Sequence, residues 1–139
     1  MITDEIKNRY KGRSISWLED RLQDLINAKI RRRDSVNGYF ICISCQELKP
    51  AKQMNAGHYY PKEPLAYRAV KFDLDNIHGQ CIRCNRHLSA NLIPYRANLL
   101  QKIGERRLLQ LEQKAALSGF KYSRDFLIEQ IEKLKYERT

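Results

Sequence analysis

The chain has 139 residues, with 26 Lys and Arg against 16 Asp and Glu, a formal charge of +10 and a pI near 9.6. Such a length suits one domain with helical extensions and leaves too little surface for two independent cores, so residues 1–139 are expected to form a single domain. No apolar run approaches the roughly 18 residues of a membrane span, and the N-terminus lacks the apolar centre of a signal peptide; the expected location is the cytoplasm, and the positive charge, spread along the whole chain, favours a polyanionic partner.

Ser16 and Glu19 make a Ser-x-x-Glu capping pattern, and Leu18, Leu22, Leu25, Ile26 and Ile30 follow at helical spacing. This predicts a helix over roughly 16–34, within an N-terminal helical segment 14–36 that closes before the turn pair Asn37-Gly38. Arg31, Arg32 and Arg33 at its end suit either DNA phosphate or the helix dipole. From Tyr39 to about Arg83 the helical period is lost. Short β-prone pieces appear there (Tyr39–Ile41, His58–Tyr60, Ala69–Phe72), too few to make an apolar core. A helix is expected from Cys84-Asn85 to just before Pro94, then helices over Tyr95–Ile103, Glu105–Leu117 and, after the cap Ser123, a last one striped with Leu127, Ile128, Ile131 and Leu134.

Within the β-prone stretch lie Cys42-Ile-Ser-Cys45 and Cys81-Ile-Arg-Cys84. Each two-residue spacer folds into a tight turn that presents both sulfurs to one tetrahedral ion, so the four cysteines are expected to bind one structural zinc per chain, with rubredoxin-like iron using similar spacing. The metal would supply the folding energy that so small a β-region lacks. Four thiolates and Zn²⁺ together carry about −2, which leaves the chain strongly cationic.

Between and after the knuckles come Gly57-His58-Tyr59, Asn76-Ile-His78-Gly-Gln80 and Cys84-Asn85-Arg86-His87. Histidine, asparagine and a metal-binding residue in this order resemble an HNH, or His-Me finger, nuclease. The expected fold is therefore α+β: a zinc-stabilised ββα-metal core over 37–96, flanked by the N-terminal helix and by C-terminal helices over 97–139. The chemistry needs a base to deprotonate water, a cation for the developing charge, and groups that hold the phosphate. The resemblance makes His58 the general base, Asn76 a residue that constrains the loop and orients the base, and Asn85 the ligand of a catalytic Mg²⁺ or Mn²⁺, as in relatives such as phage endonuclease VII. An N-cap role for Asn85 and a structural role for His58 are the alternatives. Many such sites carry an acidic residue or a histidine immediately before the base, where this chain has Gly57; His87, Asp73, Asp75 and His78 are candidates for the missing ligand. On a regular helix His87 would lie about 200° around the axis from Asn85.

The longer run Cys42–Cys45, Asn55–Tyr59, Asn76–Cys81 and Cys84-Asn-Arg-His-Leu-Ser-Ala-Asn-Leu-Ile-Pro-Tyr-Arg96 resembles the NinG/Rap family of lambdoid phage recombination proteins, over about residues 15–105. That resemblance implies a phage-encoded endonuclease acting on Holliday junctions and displacement loops, with His87 included among its site residues. Relatives of lambda type carry a further cysteine-rich N-terminal segment that these 139 residues do not include. Arg68, Lys71, Arg83, Arg86 and Arg96 are candidate phosphate contacts, and a homodimer is expected because resolving a junction takes two cuts. A non-catalytic zinc module that binds DNA, and an HNH nicking nuclease on ordinary duplex, are the rival readings.

Overall fold

The computed structural model describes residues 2–63 and 65–137. The described chain is α+β and forms two compact units, residues 1–29 with 121–139 and residues 30–120. In the first unit, α1 (Asp4–Arg9) is capped by Thr3, and α5 (Arg124–Lys135) by Ser123, whose Oγ accepts the Phe126 N–H at 3.1 Å. Helix α2 (Ile15–Asp34) starts one residue before the expected position. Its cap is Ser14, which accepts the Trp17 N–H at 3.0 Å, and not Ser16, which lies inside the first turn. Leu18, Leu22 and Ile26 of α2 and Leu127, Ile128 and Ile131 of α5 are buried. Tyr10 donates its hydroxyl to the Glu132 carboxylate, and Arg124 donates to the Tyr10 and Arg13 carbonyls at 2.7 and 2.6 Å.

The second unit begins with the end of α2 and a three-stranded antiparallel sheet, β1 (Ser35–Val36), β2 (Tyr39–Ile41) and β3 (Leu48–Pro50), in that order. Asn37 and Gly38 turn β1 into β2 with φ of 53° and 83°, the positive-φ pair that a two-residue hairpin demands. A separate antiparallel pair follows, β4 (Met54–His58) with β5 (Ile77–Cys81), in the register Met54↔Cys81 through His58↔Ile77. The expected strand at 58–60 thus lies four residues earlier. The expected strand at 69–72 is instead part of a 3₁₀ segment, Leu65–Val70, and the turn after it. The reason is tertiary: Val70 is fully buried in a core with Ile43, Tyr95, Leu99, Ile103, Leu108, Leu111 and Ala115, and its carbonyl accepts a bond from Asn76.

After β5 the chain makes a π-helical turn, Arg83–His87, and a short 3₁₀ turn, Ser89–Asn91, before α3 (Leu92–Ile103) and α4 (Glu105–Ala115). The expected continuous helix ending before Pro94 is not formed. Pro94 sits in the first turn of α3, where the backbone N–H has no intrahelical partner and proline costs nothing. Gly104, at φ 86°, breaks α3 from α4 as its position in the sequence implies. Among the described residues no helix is long and apolar enough to cross a membrane.

Candidate functional site

The two Cys-x-x-Cys turns converge. Cys42, Cys81 and Cys84 are buried and Cys45 is half-buried, and their four sulfurs lie within 4.8 Å of one another. The Cys45 and Cys81 sulfurs are 3.8 Å apart, which is the edge of a tetrahedron with metal–sulfur bonds of about 2.3 Å. Backbone N–H groups point at the sulfurs: Cys45 and Cys81 donate to Cys42 Sγ at 3.5 and 3.3 Å, and Cys84 donates to Cys81 Sγ at 3.5 Å. Asn91 Nδ2 adds a bond to Cys84 Sγ. Burial alone would raise the Cys42 thiol, but the N–H groups of Cys81, Cys45 and Ser44 outweigh it and hold its pKa below the usual value. Burial pushes Cys45 up to about 12. A cation removes that conflict, because thiolates crowded together are costly unless a positive charge sits among them. The four cysteines can hold a metal such as zinc, and with Phe40 and Met54 they form a small core of their own.

The other end of the β4–β5 pair carries His58. Its Nε2 lies 2.9 Å from the Lys71 carbonyl. A carbonyl only accepts, so Nε2 bears the hydrogen and the Nδ1 lone pair is left to act as an acceptor. Burial lowers the His58 pKa to about 4, helped by Lys62 and Lys71 and opposed by the Lys71 and Ala56 carbonyls. The ring is therefore neutral at physiological pH.

Asn76, fully buried, ties down the segment after His58. Its Oδ1 accepts the Tyr60 N–H at 2.8 Å, and its Nδ2 donates to the carbonyls of Tyr60 and Val70 at 2.9 and 3.1 Å. The Tyr59 N–H in turn donates to the Asn76 carbonyl at 2.9 Å. Both flanks of the 58–76 loop are held by this one side chain.

The remaining sequence candidates differ in what holds them. Asp75 pairs with Arg107, and Asp73 with Lys114 at 3.1 Å, so α4 already supplies cations to both carboxylates. His78 is buried; its Nδ1 accepts from Arg33 at 3.0 Å and its Nε2 donates to the Asp75 carbonyl at 2.7 Å. Burial, with Lys102 and Arg33 acting the same way, lowers its pKa to about 3. Asn85 is half-buried on the π-helical turn directly after Cys84, and His87 is exposed at the end of that turn. Arg83 and Arg86 are exposed beside them. Arg96 is exposed and engages Glu112 at 3.2 Å, Lys71 lies over the Phe72 ring at 5.2 Å, and Arg68 is half-buried.

Four residues with structural weight here were not singled out from the sequence in these roles. Arg33, in the last turn of α2 as expected, also donates to the Leu74 and Ile77 carbonyls at 2.9 and 2.7 Å and braces the strand that follows Asn76. Asp34 accepts the Gly79 N–H at 2.8 Å and pairs with Arg33 and Lys102; burial would raise its pKa, yet these partners lower it to about 2. Tyr95, fully buried, donates to the Gly57 carbonyl at 2.6 Å. Gln80, also fully buried, donates to Ser44 Oγ and to the Ala90 carbonyl. The available signal was local, since Gln80 is a large polar residue in a strand whose neighbours Gly79 and Cys81 imply burial.

Fold and site together define a small α+β protein with a cluster of four cysteines, from two Cys-x-x-Cys turns, that can hold a metal, and a neutral histidine at the far end of the adjoining strand pair. The chain belongs to the NinG family: the family model for the bacteriophage lambda NinG protein matches residues 4–138. It is 42% identical over 96 residues to the ninG protein of Escherichia phage 933W and 41% identical over the same length to that of Escherichia phage lambda, covering 69% of this chain and 44% of each relative. With the ninG protein of Salmonella phage P22 the identity is 44% over 88 residues, covering 63% and 40%. The chain thus spans less than half the length of these curated relatives. No solved structure matches it.

Proposed function

We propose that this chain is a metal-dependent endonuclease of HNH, or His-Me finger, type that hydrolyses phosphodiester bonds in branched DNA such as Holliday junctions and displacement loops. The observation that carries the reading is His58: a neutral imidazole at a strand end, its tautomer set by the Lys71 carbonyl, with cationic side chains around it and a four-cysteine clamp on the same strand pair. In this reading His58 Nδ1 takes a proton from water, the oxygen attacks phosphorus, and the bond to the leaving oxygen breaks. Asn76 orients the base by fixing the chain on both sides of the loop. Arg68, Lys71, Arg83, Arg86 and Arg96 are the candidate phosphate contacts.

A divalent cation, Mg²⁺ or Mn²⁺, would be held by the Asn85 side-chain oxygen, a hard donor that fits such ions. When bound, it supplies positive charge for the leaving oxygen. Asn85 offers one neutral donor, Gly57 offers none, and Asp73, Asp75 and His78 are engaged with α4, Arg33 and backbone, so the remaining ligands fall to water and the DNA itself. His87, at the exposed end of the turn, is then a phosphate contact in preference to a shared ligand. Two cuts at a junction call for a homodimer, and the host cytoplasm is where such substrates arise.

The test is His58→Ala on a four-way junction with Mg²⁺. The variant is expected to keep its metal and its fold and to lose cleavage by about 10²–10⁴-fold, the usual contribution of a general base. Undiminished cleavage would refute His58 as the base, and a wild-type protein that binds the junction without cutting it would leave a zinc module that binds DNA without chemistry. Equal rates on a junction and on matched linear duplex would favour a nicking nuclease without structure selectivity.

A further inference from the structure

The β4–β5 register puts Asn55 and Gly57 of one strand on the same face as Gln80 and His78 of the other. On that face the Gln80 side chain stands against Gly57. A Cβ at position 57 would lie 2.1 Å from Gln80 Oε1 and 2.9 Å from Gln80 Cβ. The near contact is with the end of a side chain, but that end is fastened: Nε2 donates to the Ala90 carbonyl at 2.6 Å and to Ser44 Oγ at 2.9 Å. Among the described residues Gln80 Oε1 has no hydrogen-bond partner, so the amide is held in this orientation by its nitrogen alone.

Ala90 is the centre of an unusual stretch. Ser89, Ala90 and Asn91 have φ of 49°, 68° and 45°, three L residues in succession in the left-handed region, a conformation that persists only where the surroundings hold it. This loop directly follows the π-helical turn that carries Asn85. Gln80 therefore links the first cysteine knuckle, through Ser44, to the strained loop beyond the second.

We infer that Gln80 is a positioning residue of the candidate site: its buried amide latches the 89–91 loop, which fixes the turn bearing Asn85, and it fills the room beside Gly57 so that the residue before His58 is confined to glycine. The role of the latch in cleavage rests on the nuclease reading above; the packing half stands without it. The site thus trades a side chain at 57 for a latch on the opposite strand.

The packing half is tested by a stability cycle on the metal-loaded protein with Gly57→Ala, Gln80→Ala and both together, measured by chemical denaturation. Gly57→Ala is expected to lower the midpoint sharply, and adding Gln80→Ala is expected to restore part of it; additive effects would overturn the packing claim. The latch is tested with Gln80→Glu, which keeps the shape but turns an oxygen toward the Ala90 carbonyl. This variant should retain one metal per chain and be cut faster than wild type by a protease within 88–91. On a four-way junction kcat should fall at least tenfold with KM within twofold, and adding Asn85→Ala should enlarge the loss little. Wild-type kcat and wild-type protease resistance in Gln80→Glu would refute the latch. A wild-type protein inactive on all DNA substrates would instead remove the nuclease reading, leaving the cycle and the proteolysis to decide the inference about Gln80.

Discussion

Replacing Asn76 by Asp removes two hydrogens and adds almost no volume, so it isolates what the Asn76 amide nitrogen contributes. The introduced carboxyl can still accept the Tyr60 N–H, but the carbonyls of Tyr60 and Val70, 2.9 and 3.1 Å from Nδ2, lose their donor and face an oxygen. An orphaned buried acceptor costs about 1–3 kcal/mol, and two of them in a fully buried site put the loss near 4 kcal/mol at pH 7. The loss depends on pH. Burial and the facing carbonyls raise the folded-state pKa of the introduced carboxyl above its unfolded value of about 3.9. Stability tied to the protonated form is then fully present below the unfolded pKa and disappears as pH rises through the folded one. Near pH 4 its hydroxyl donates to one carbonyl, and the deficit should shrink to about 1–3 kcal/mol. Urea denaturation of variant and wild type at both pH values measures this. A deficit under 1 kcal/mol at pH 7, or one equal at the two pH values, would refute the assignment of both donor bonds to Asn76.

Cys81→Ser, or a strong chelator on the wild type, is expected to release one metal per chain and abolish the cooperative unfolding transition, because Cys81 also accepts the Cys84 N–H and the surrounding core is mostly sulfur; elemental analysis with thermal circular dichroism reads both. For His58 the folded pKa of about 4 lies below the free value of 6.5, so the stabilisation belongs to the neutral ring: it is present above pH 6.5 and is lost as pH falls toward 4, by at most about 3 kcal/mol. Denaturation between pH 5 and 7 should show that slope in wild type and a shallower one in His58→Gln. Asp73→Asn and Asp75→Asn should each cost under about 1 kcal/mol and leave cleavage within a few-fold, since their carboxylates serve exposed pairs with Lys114 and Arg107; loss of cleavage with altered Mg²⁺ dependence would restore them as ligands.

The parts legible in advance are those governed by chemistry between near neighbours. Cys-x-x-Cys turns bring sulfurs together whatever surrounds them, Asn37-Gly38 accepts positive φ, and Ser123 caps the helix that follows it. The misreadings fall where distant contacts win. Ala69–Phe72 has β-prone residues, yet Val70 is drawn into the α3–α4 core and its carbonyl is taken by Asn76. The stretch after Cys84 looks helical, but Ala90 is bound by Gln80 and Ser44, which divides it into a π-helical turn and a left-handed loop.

The sequence by itself determined the four-cysteine site, the family and the strongly cationic character, because these depend on residue type and short spacing. Only the tertiary structure decided how the remaining polar residues divide. It set Arg33 and His78 to bracing β5, Asp73 and Asp75 to pairing with α4, and Gln80 to the space beside Gly57, while burial left His58 neutral and the Lys71 carbonyl took the hydrogen of its Nε2. Each of those assignments joins atoms from segments far apart in the chain, and their energies come from burial and hydrogen bonds that exist only once the strands and helices have packed.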